Sequence, residues 1–127
     1  MPVVLNVDDR PTSLYARERL LTRRGYTVVN ATNGKDAIAM AERLRPDLIL
    51  LDIHLPDIDG REVCRRLKAD PQFQDTPVVL ASTTTRGDAA QSEMIHWAGA
   101  DAFLMEPFEE ETLTSTLNAV LPPDGRS

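Results

Sequence analysis

DLILL, residues 47–51, carries a continuous apolar run, Leu48 to Leu51, closed by Asp52. A half-buried strand alternates apolar and polar residues, whereas a strand covered on both faces reads as an unbroken apolar stretch. Four other stretches share strand character: VVLNV (3–7), TVVNA (27–31), PVVLAS (77–82) and AFLM (102–105). The segments between them have helical period or helical punctuation. Ala37, Met40, Ala41 and Leu44 fall at i, i+3, i+4 and i+7, and Leu113, Leu117, Val120 and Leu121 at i, i+4, i+7 and i+8. Helices over 11–24, 59–69 and 86–97 are marked instead by Pro11 in a first turn, Gly25 and Gly99 as C-terminal caps, and Pro71 and Pro77 bracketing a loop. Strand and helix thus alternate five times. Right-handed crossovers then give a parallel sheet with helices on both faces, in the flavodoxin-like order 2-1-3-4-5.

The 127 residues suit one domain with one core. Residues 1–121 are read as that domain and 122–127 (PPDGRS) as a frayed end or the start of a linker. No apolar run approaches a membrane span, and MPVVLNV lacks the features of a signal peptide. The lone Cys64 forms no internal disulfide and is read as a core residue, so a reducing cytoplasm is expected. A net charge of -6 argues against a nucleic-acid surface, and the Arg23-Arg24 and Arg65-Arg66 pairs are read as solvated helix faces.

In an open parallel sheet the ligand site lies at the carboxyl ends of the strands. Here those ends carry Asp8-Asp9, Asp52, Ser82-Thr83 and Glu106. Taken singly, each has an ordinary structural role: Asp8 or Asp9 capping a helix, Asp52 as a solvated strand end, Ser82 and the threonines after it as turn residues. Gathered at one edge, the acids repel one another unless a cation joins them or one holds its proton. Mg²⁺ suits the task, since it takes carboxylate oxygens and keeps positions for phosphate oxygens. An aspartate beside it can serve as a phosphoryl-accepting nucleophile.

VLNVDD, DLILLDIHLPDIDG, PVVLAST and GADAFLMEPF together resemble the receiver domain of two-component response regulators over residues 3–121. The resemblance implies that Asp52 accepts a phosphoryl group from a histidine kinase or phosphotransfer protein. It implies Mg²⁺ held by Asp8, Asp9, Asp52 and the His54 backbone carbonyl, with the His54 imidazole an exposed loop group. Ser82 becomes the hydroxyl that turns toward the phosphoryl group, with the Thr83 backbone beside it and Phe103 as the aromatic that reports the turn. A dimer or output partner is expected on the face made by the helix over 86–97, the last strand and the last helix. Trp97 there is either an interface anchor or local packing. Glu109, Glu110 and Glu111 favour the dipole of the last helix.

The departure from the family is Glu106, where the usual motif is Lys-Pro and the ammonium meets the phosphoryl group. A subset of receivers carries Glu-Pro at this place, often in larger sensor kinases. The reading adopted is a lost contact with repulsion in its place, with two alternatives: a protonated Glu106 that donates a hydrogen bond, or a side chain swung out to a base such as Arg86. A flavin site would require a Ser/Thr/Gly-rich loop where VDDRPT stands, and a Mg²⁺-dependent phosphohydrolase a DxD arrangement that Asp8-Asp9-Arg10 does not supply. The chain is therefore read as a phosphoacceptor with at most slow self-dephosphorylation. The rival is a receiver-shaped interaction module that works without phosphorylation.

Overall fold

The computed structural model describes residues 2–82 and 96–121. Five strands form one parallel sheet: β1 (Val3–Val7), β2 (Thr27–Ala31), β3 (Leu48–Asp52), β4 (Val78–Ser82) and β5 (Ala102–Met105), in the order β2-β1-β3-β4-β5. The described helices are α1 (Pro11–Arg23), α2 (Gly34–Leu44), α3 (Gly60–Ala69) and α4 (Glu110–Val120), with a 3-10 turn at Pro71–Phe73. This is the flavodoxin-like arrangement expected. The helix read over 86–97 lies outside the described residues except at its end, where 96–98 are helical; Thr83, Arg86 and the 122–127 tail lie outside them as well.

The unbroken apolar strands feed two cores, one on each face of the sheet. In β3, Leu48 and Leu50 pack with Leu21 of α1 and with Leu113 and Leu117 of α4. Ile49 and Leu51 point the other way, onto Ala37 and Ala41 of α2 and Val63, Cys64 and Leu67 of α3. Such two-sided burial is why the inner strands are apolar on both faces, with the buried Asn6 of β1 hydrogen-bonded to the Leu14 carbonyl and Asn30. Cys64 is fully buried, which pushes its thiol up to about 12.

The punctuation acts much as read. Pro11 opens α1, and Gly25 (φ 93°) and Gly99 (φ 77°) take the left-handed conformation that glycine adopts without steric cost. Two details differ. Leu44, expected on the apolar face of α2, is 41% exposed, because it lies in the last turn and Arg45 closes the helix in the left-handed region with its N–H on the Ala41 carbonyl. At the start of α1 the N-cap residue Arg10 makes no side-chain cap bond; Asp8 instead accepts the Arg10 backbone N–H at 2.9 Å, just ahead of the first turn.

Candidate functional site

Three strand ends bring three carboxylates to one side of the sheet. Side chains alternate along a strand, so Asp8 extends the row of Val4 and Asn6, Asp52 the row of Leu48 and Leu50, and Glu106 the row of Leu104. Val4, Leu48, Leu50 and Leu104 all belong to the core beneath α1 and α4. Oxygens of Asp8, Asp52 and Glu106 lie within 4.8 Å of one another. Asp8 and Asp52 are buried, and the Glu106 side chain is 8% exposed. Asp9, expected beside them, is exposed on the loop after β1 and is not one of these three.

Two guanidinium groups, of Arg10 just before α1 and of Arg17 in its middle, close the cluster. Arg17 is 2% exposed. Its Nη1 donates to the Val7 carbonyl (3.0 Å), its Nε and Nη2 donate to Glu106 Oε2 (3.2 and 2.9 Å), and Nη2 lies 3.2 Å from Asp8 Oδ2. Arg10 is partly open to solvent. Its Nη2 donates to Glu106 Oε1 at 2.7 Å and to Asp8 Oδ2 at 3.1 Å, while its backbone N–H donates to Asp8 Oδ1 at 2.9 Å. Of the readings offered for Glu106, pairing with a base is the one seen, but the bases are Arg10 and Arg17 and the side chain stays in the cluster. The reason is tertiary, since α1 lies over the sheet face onto which β5 directs Glu106.

Asp52 sits between the two charge types. Its Oδ2 accepts the His54 N–H at 3.0 Å, and its Oδ1 faces Arg10 Nη2 at 3.5 Å and Arg17 Nη2 at 3.6 Å. Burial pushes Asp52 up to about 6, and the Asp8 charge adds to this; Arg17 and Arg10 pull in the opposite direction. Arg10 in turn is raised, chiefly by its hydrogen bond to Asp8. At neutral pH Asp52 is thus an ionised carboxylate only about a unit above its midpoint.

The loop after β3 is fixed from behind. The Gly60 N–H donates to the Ile53 carbonyl at 2.7 Å, and a Cβ on Gly60 would stand 2.0 Å from the Asp52 carbonyl oxygen, so only glycine allows α3 this close to the strand end. Asp57 reaches across to the start of α2, where it accepts the Gly34 and Lys35 N–H groups at 2.8 and 2.9 Å. These bonds, the Gly34 one foremost, hold Asp57 below the ordinary carboxylate range. His54 is exposed, as read. Ser82 is buried at the end of β4, where its carbonyl accepts the Glu106 N–H at 2.8 Å, and Phe103 is partly buried against the α2 and α3 core.

Residues 4–118 match the family model described as the response regulator receiver domain. The chain belongs to the response regulator receiver domain family. It is 36% identical to Protein PilH of Pseudomonas aeruginosa over 95% of this chain and 98% of that protein. It is 37% identical to the transcriptional regulatory protein AfsQ1 of Streptomyces coelicolor over 95% of this chain and 52% of that longer protein. Among solved structures, the chemotaxis protein CheY4 of Vibrio cholerae superposes with a TM-score of 0.88 at 32% identity, covering 95% of this chain and 99% of that one. The receiver domain of the sensor histidine kinase PA1611 of P. aeruginosa, solved with a magnesium ion in its active-site cleft, gives 0.83 at 29% identity, covering 94% and 96%. Within this receiver domain, the strand-end carboxylates are hard oxygen donors of the kind Mg²⁺ takes, so the residues present fit such an ion.

Sequence reading missed Arg10, Arg17 and Gly60. Arg17 had a signal: it lies four residues before the buried Leu21 and three after Leu14, on the inward stripe of α1. A cation on a buried stripe requires an anion, and Glu106 was the anion without a partner.

Proposed function

We propose that this receiver domain accepts a phosphoryl group on Asp52 from a histidine kinase or a phosphotransfer protein. The observation that carries the reading is the placement of Asp52: a buried carboxylate at the carboxyl end of the central β3, one oxygen fixed by the His54 N–H and the other facing two guanidiniums. In the transfer an Asp52 oxygen bonds to phosphorus, the phosphorus–nitrogen bond of the donor histidine breaks, and its electron pair stays on the imidazole nitrogen. Asp52 reacts as the carboxylate, the form that prevails above its midpoint near 6.

Asp8, Asp9 and Asp52, with the His54 carbonyl, would hold Mg²⁺, which offsets repulsion between the carboxylate and an incoming phosphoryl group. Ser82 and the Thr83 backbone then sense the product, and the partly buried Phe103 is the aromatic that shifts with them. A dimer or output partner is assigned to the face made by the helix over 86–97, β5 and α4; Trp97 and Met105 are exposed, and Arg65 of α3 lies 5.4 Å from the centre of the Trp97 ring. Among the described residues no helix is long and apolar enough to cross a membrane, and a cytoplasmic setting is part of this proposal.

The rival, a module that works without phosphorylation, has one observation in its favour: the acids already have cationic partners in Arg10 and Arg17. Intact-mass analysis after exposure to acetyl phosphate and Mg²⁺ separates the two. We expect one phosphoryl adduct on the parent and none on Asp52→Asn. No adduct on the parent, or an equal adduct on the variant, overturns the phosphoacceptor reading.

A further inference from the structure

The two arginines at the carboxylate cluster are held very differently. Arg17 is buried and tied at three nitrogens, to the Val7 carbonyl and to Glu106. Arg10 has 42% of its side chain exposed; its Nη2 meets Asp8, Asp52 and Glu106 at 3.1, 3.5 and 2.7 Å, and its Nε donates to Asp8 Oδ1 at 3.2 Å. Both groups, with Glu106, line one cleft of about 210 Å³ between α1 and the turn after β5, with Phe108 on its other wall. The charges do not balance: Asp8, Asp52 and Glu106 carry three negatives against two guanidiniums. A phosphoryl group on Asp52 replaces one negative charge by about two and adds three acceptor oxygens. Some cation has to follow that charge, and β5 ends on an acid that cannot supply it.

We infer that Arg10 is the cation that contacts the phosphoryl group on Asp52, leaving Glu106 to Arg17, so that α1 supplies the positive charge that β5 lacks. This rests on the phosphoacceptor reading above. Arg17 neutralises Glu106 by itself through Nε and Nη2 on Oε2, so Arg10 can release Oε1 without stranding a buried acid. A guanidinium suits the task because its planar fork pairs with two phosphoryl oxygens. Its N–H protons stay in place and only the acceptors change. Before the donor arrives, Asp8 and Glu106 together hold Arg10 within 3.5 Å of the accepting carboxylate.

The test compares the parent with Arg10→Ala, Arg10→Lys and Asp52→Asn under acetyl phosphate and Mg²⁺. It reads adduct yield, adduct lifetime after donor removal, and the Nε–Hε resonance of Arg10. We expect a drop of about tenfold in yield or lifetime for Arg10→Ala, the scale of one lost charge-assisted contact. Arg10→Lys should be intermediate, and the parent's Arg10 resonance should move on phosphorylation. Arg10 is partly exposed and caps no buried acid alone, so melting of the Ala variant should stay within a few degrees of the parent. A parent that takes up phosphate while Arg10→Ala matches it in yield and lifetime overturns the assignment of Arg10 and leaves the phosphoacceptor reading intact. A parent without any adduct overturns that reading, and this inference with it.

Discussion

Arg17 of α1 and Glu106 at the end of β5, 89 residues apart in the chain, form a buried ion pair with Nη2 to Oε2 at 2.9 Å. The glutamate has the opposite sign to the lysine that the resemblance leads one to expect at this place, and Arg17 neutralises it from another element. A buried charge pair of this kind matters most when one partner is removed.

Arg17→Met is therefore expected to destabilise the domain by about 3–5 kcal/mol, since it leaves Glu106 and Asp8 with only the half-exposed Arg10. The double variant Arg17→Met/Glu106→Leu removes both charges and should recover much of the loss. Urea unfolding of the four proteins in the cycle measures this. A double variant as unstable as Arg17→Met would show that the pair is not the origin of the loss.

Glu106→Lys, which restores the usual family residue, should destabilise rather than improve this chain. It sets three cations, Arg10, Arg17 and the new lysine, against Asp8 and Asp52, and Arg17 has no room to leave. The expected result is a clear fall in melting temperature. An unchanged or higher melting temperature contradicts the compensation argument.

Asp52 yields a pH prediction. Its midpoint is raised by burial from 3.8 to about 6, so the folded state holds this proton more tightly than the unfolded chain does. The stability it contributes is full below the unfolded midpoint and is lost as pH rises through about 6. Relative to the parent, Asp52→Asn should gain stability between pH 4 and 7, by up to about 3 kcal/mol at 1.36 kcal/mol per pH unit. Denaturant midpoints of both proteins across that range, without Mg²⁺, provide the check. A difference flat in pH would show that burial does not set the titration of Asp52.

Millimolar Mg²⁺ should raise the melting temperature by binding the native state, which stabilises it by about 2.7 kcal/mol when the ion is at a hundred times its dissociation constant. Asp9→Asn and Asp52→Asn should both weaken the effect. Asp9 is exposed and outside the three-carboxylate cluster, so its variant tests whether the exposed acid joins the donor set. A parent indifferent to Mg²⁺ removes the metal from the proposed function.

Gly60→Ala should cost about 1–3 kcal/mol, because its Cβ would fall 2.0 Å from the Asp52 carbonyl oxygen and 2.8 Å from Ile53 Cα. The strain arises at the backbone of the proposed phosphoacceptor, so the His54 amide resonance, which reports the bond to Asp52 Oδ2, should shift with it.

The sheet and its order were legible in the sequence because burial on both faces writes itself as unbroken apolar runs, and LILL before Asp52 could be little else. The strand-end positions of Asp8, Asp52 and Glu106 followed from that, since the carboxyl ends of parallel strands lie together. The weak period of α1 was itself a sign, because an arginine stands at position 17, where an apolar residue would have completed the stripe with Leu21. What the sequence could not assign was its partner. Pairing Arg17 with Glu106 requires knowing that α1 packs on the face toward which β5 directs its even-numbered side chains, a relation between elements far apart in the chain. Local pattern determines which groups are buried and which strand end carries each acid. Only the packing of α1 on the sheet decided that the acid at the end of β5 meets a cation, because ion pairs form across space and leave no period in the sequence.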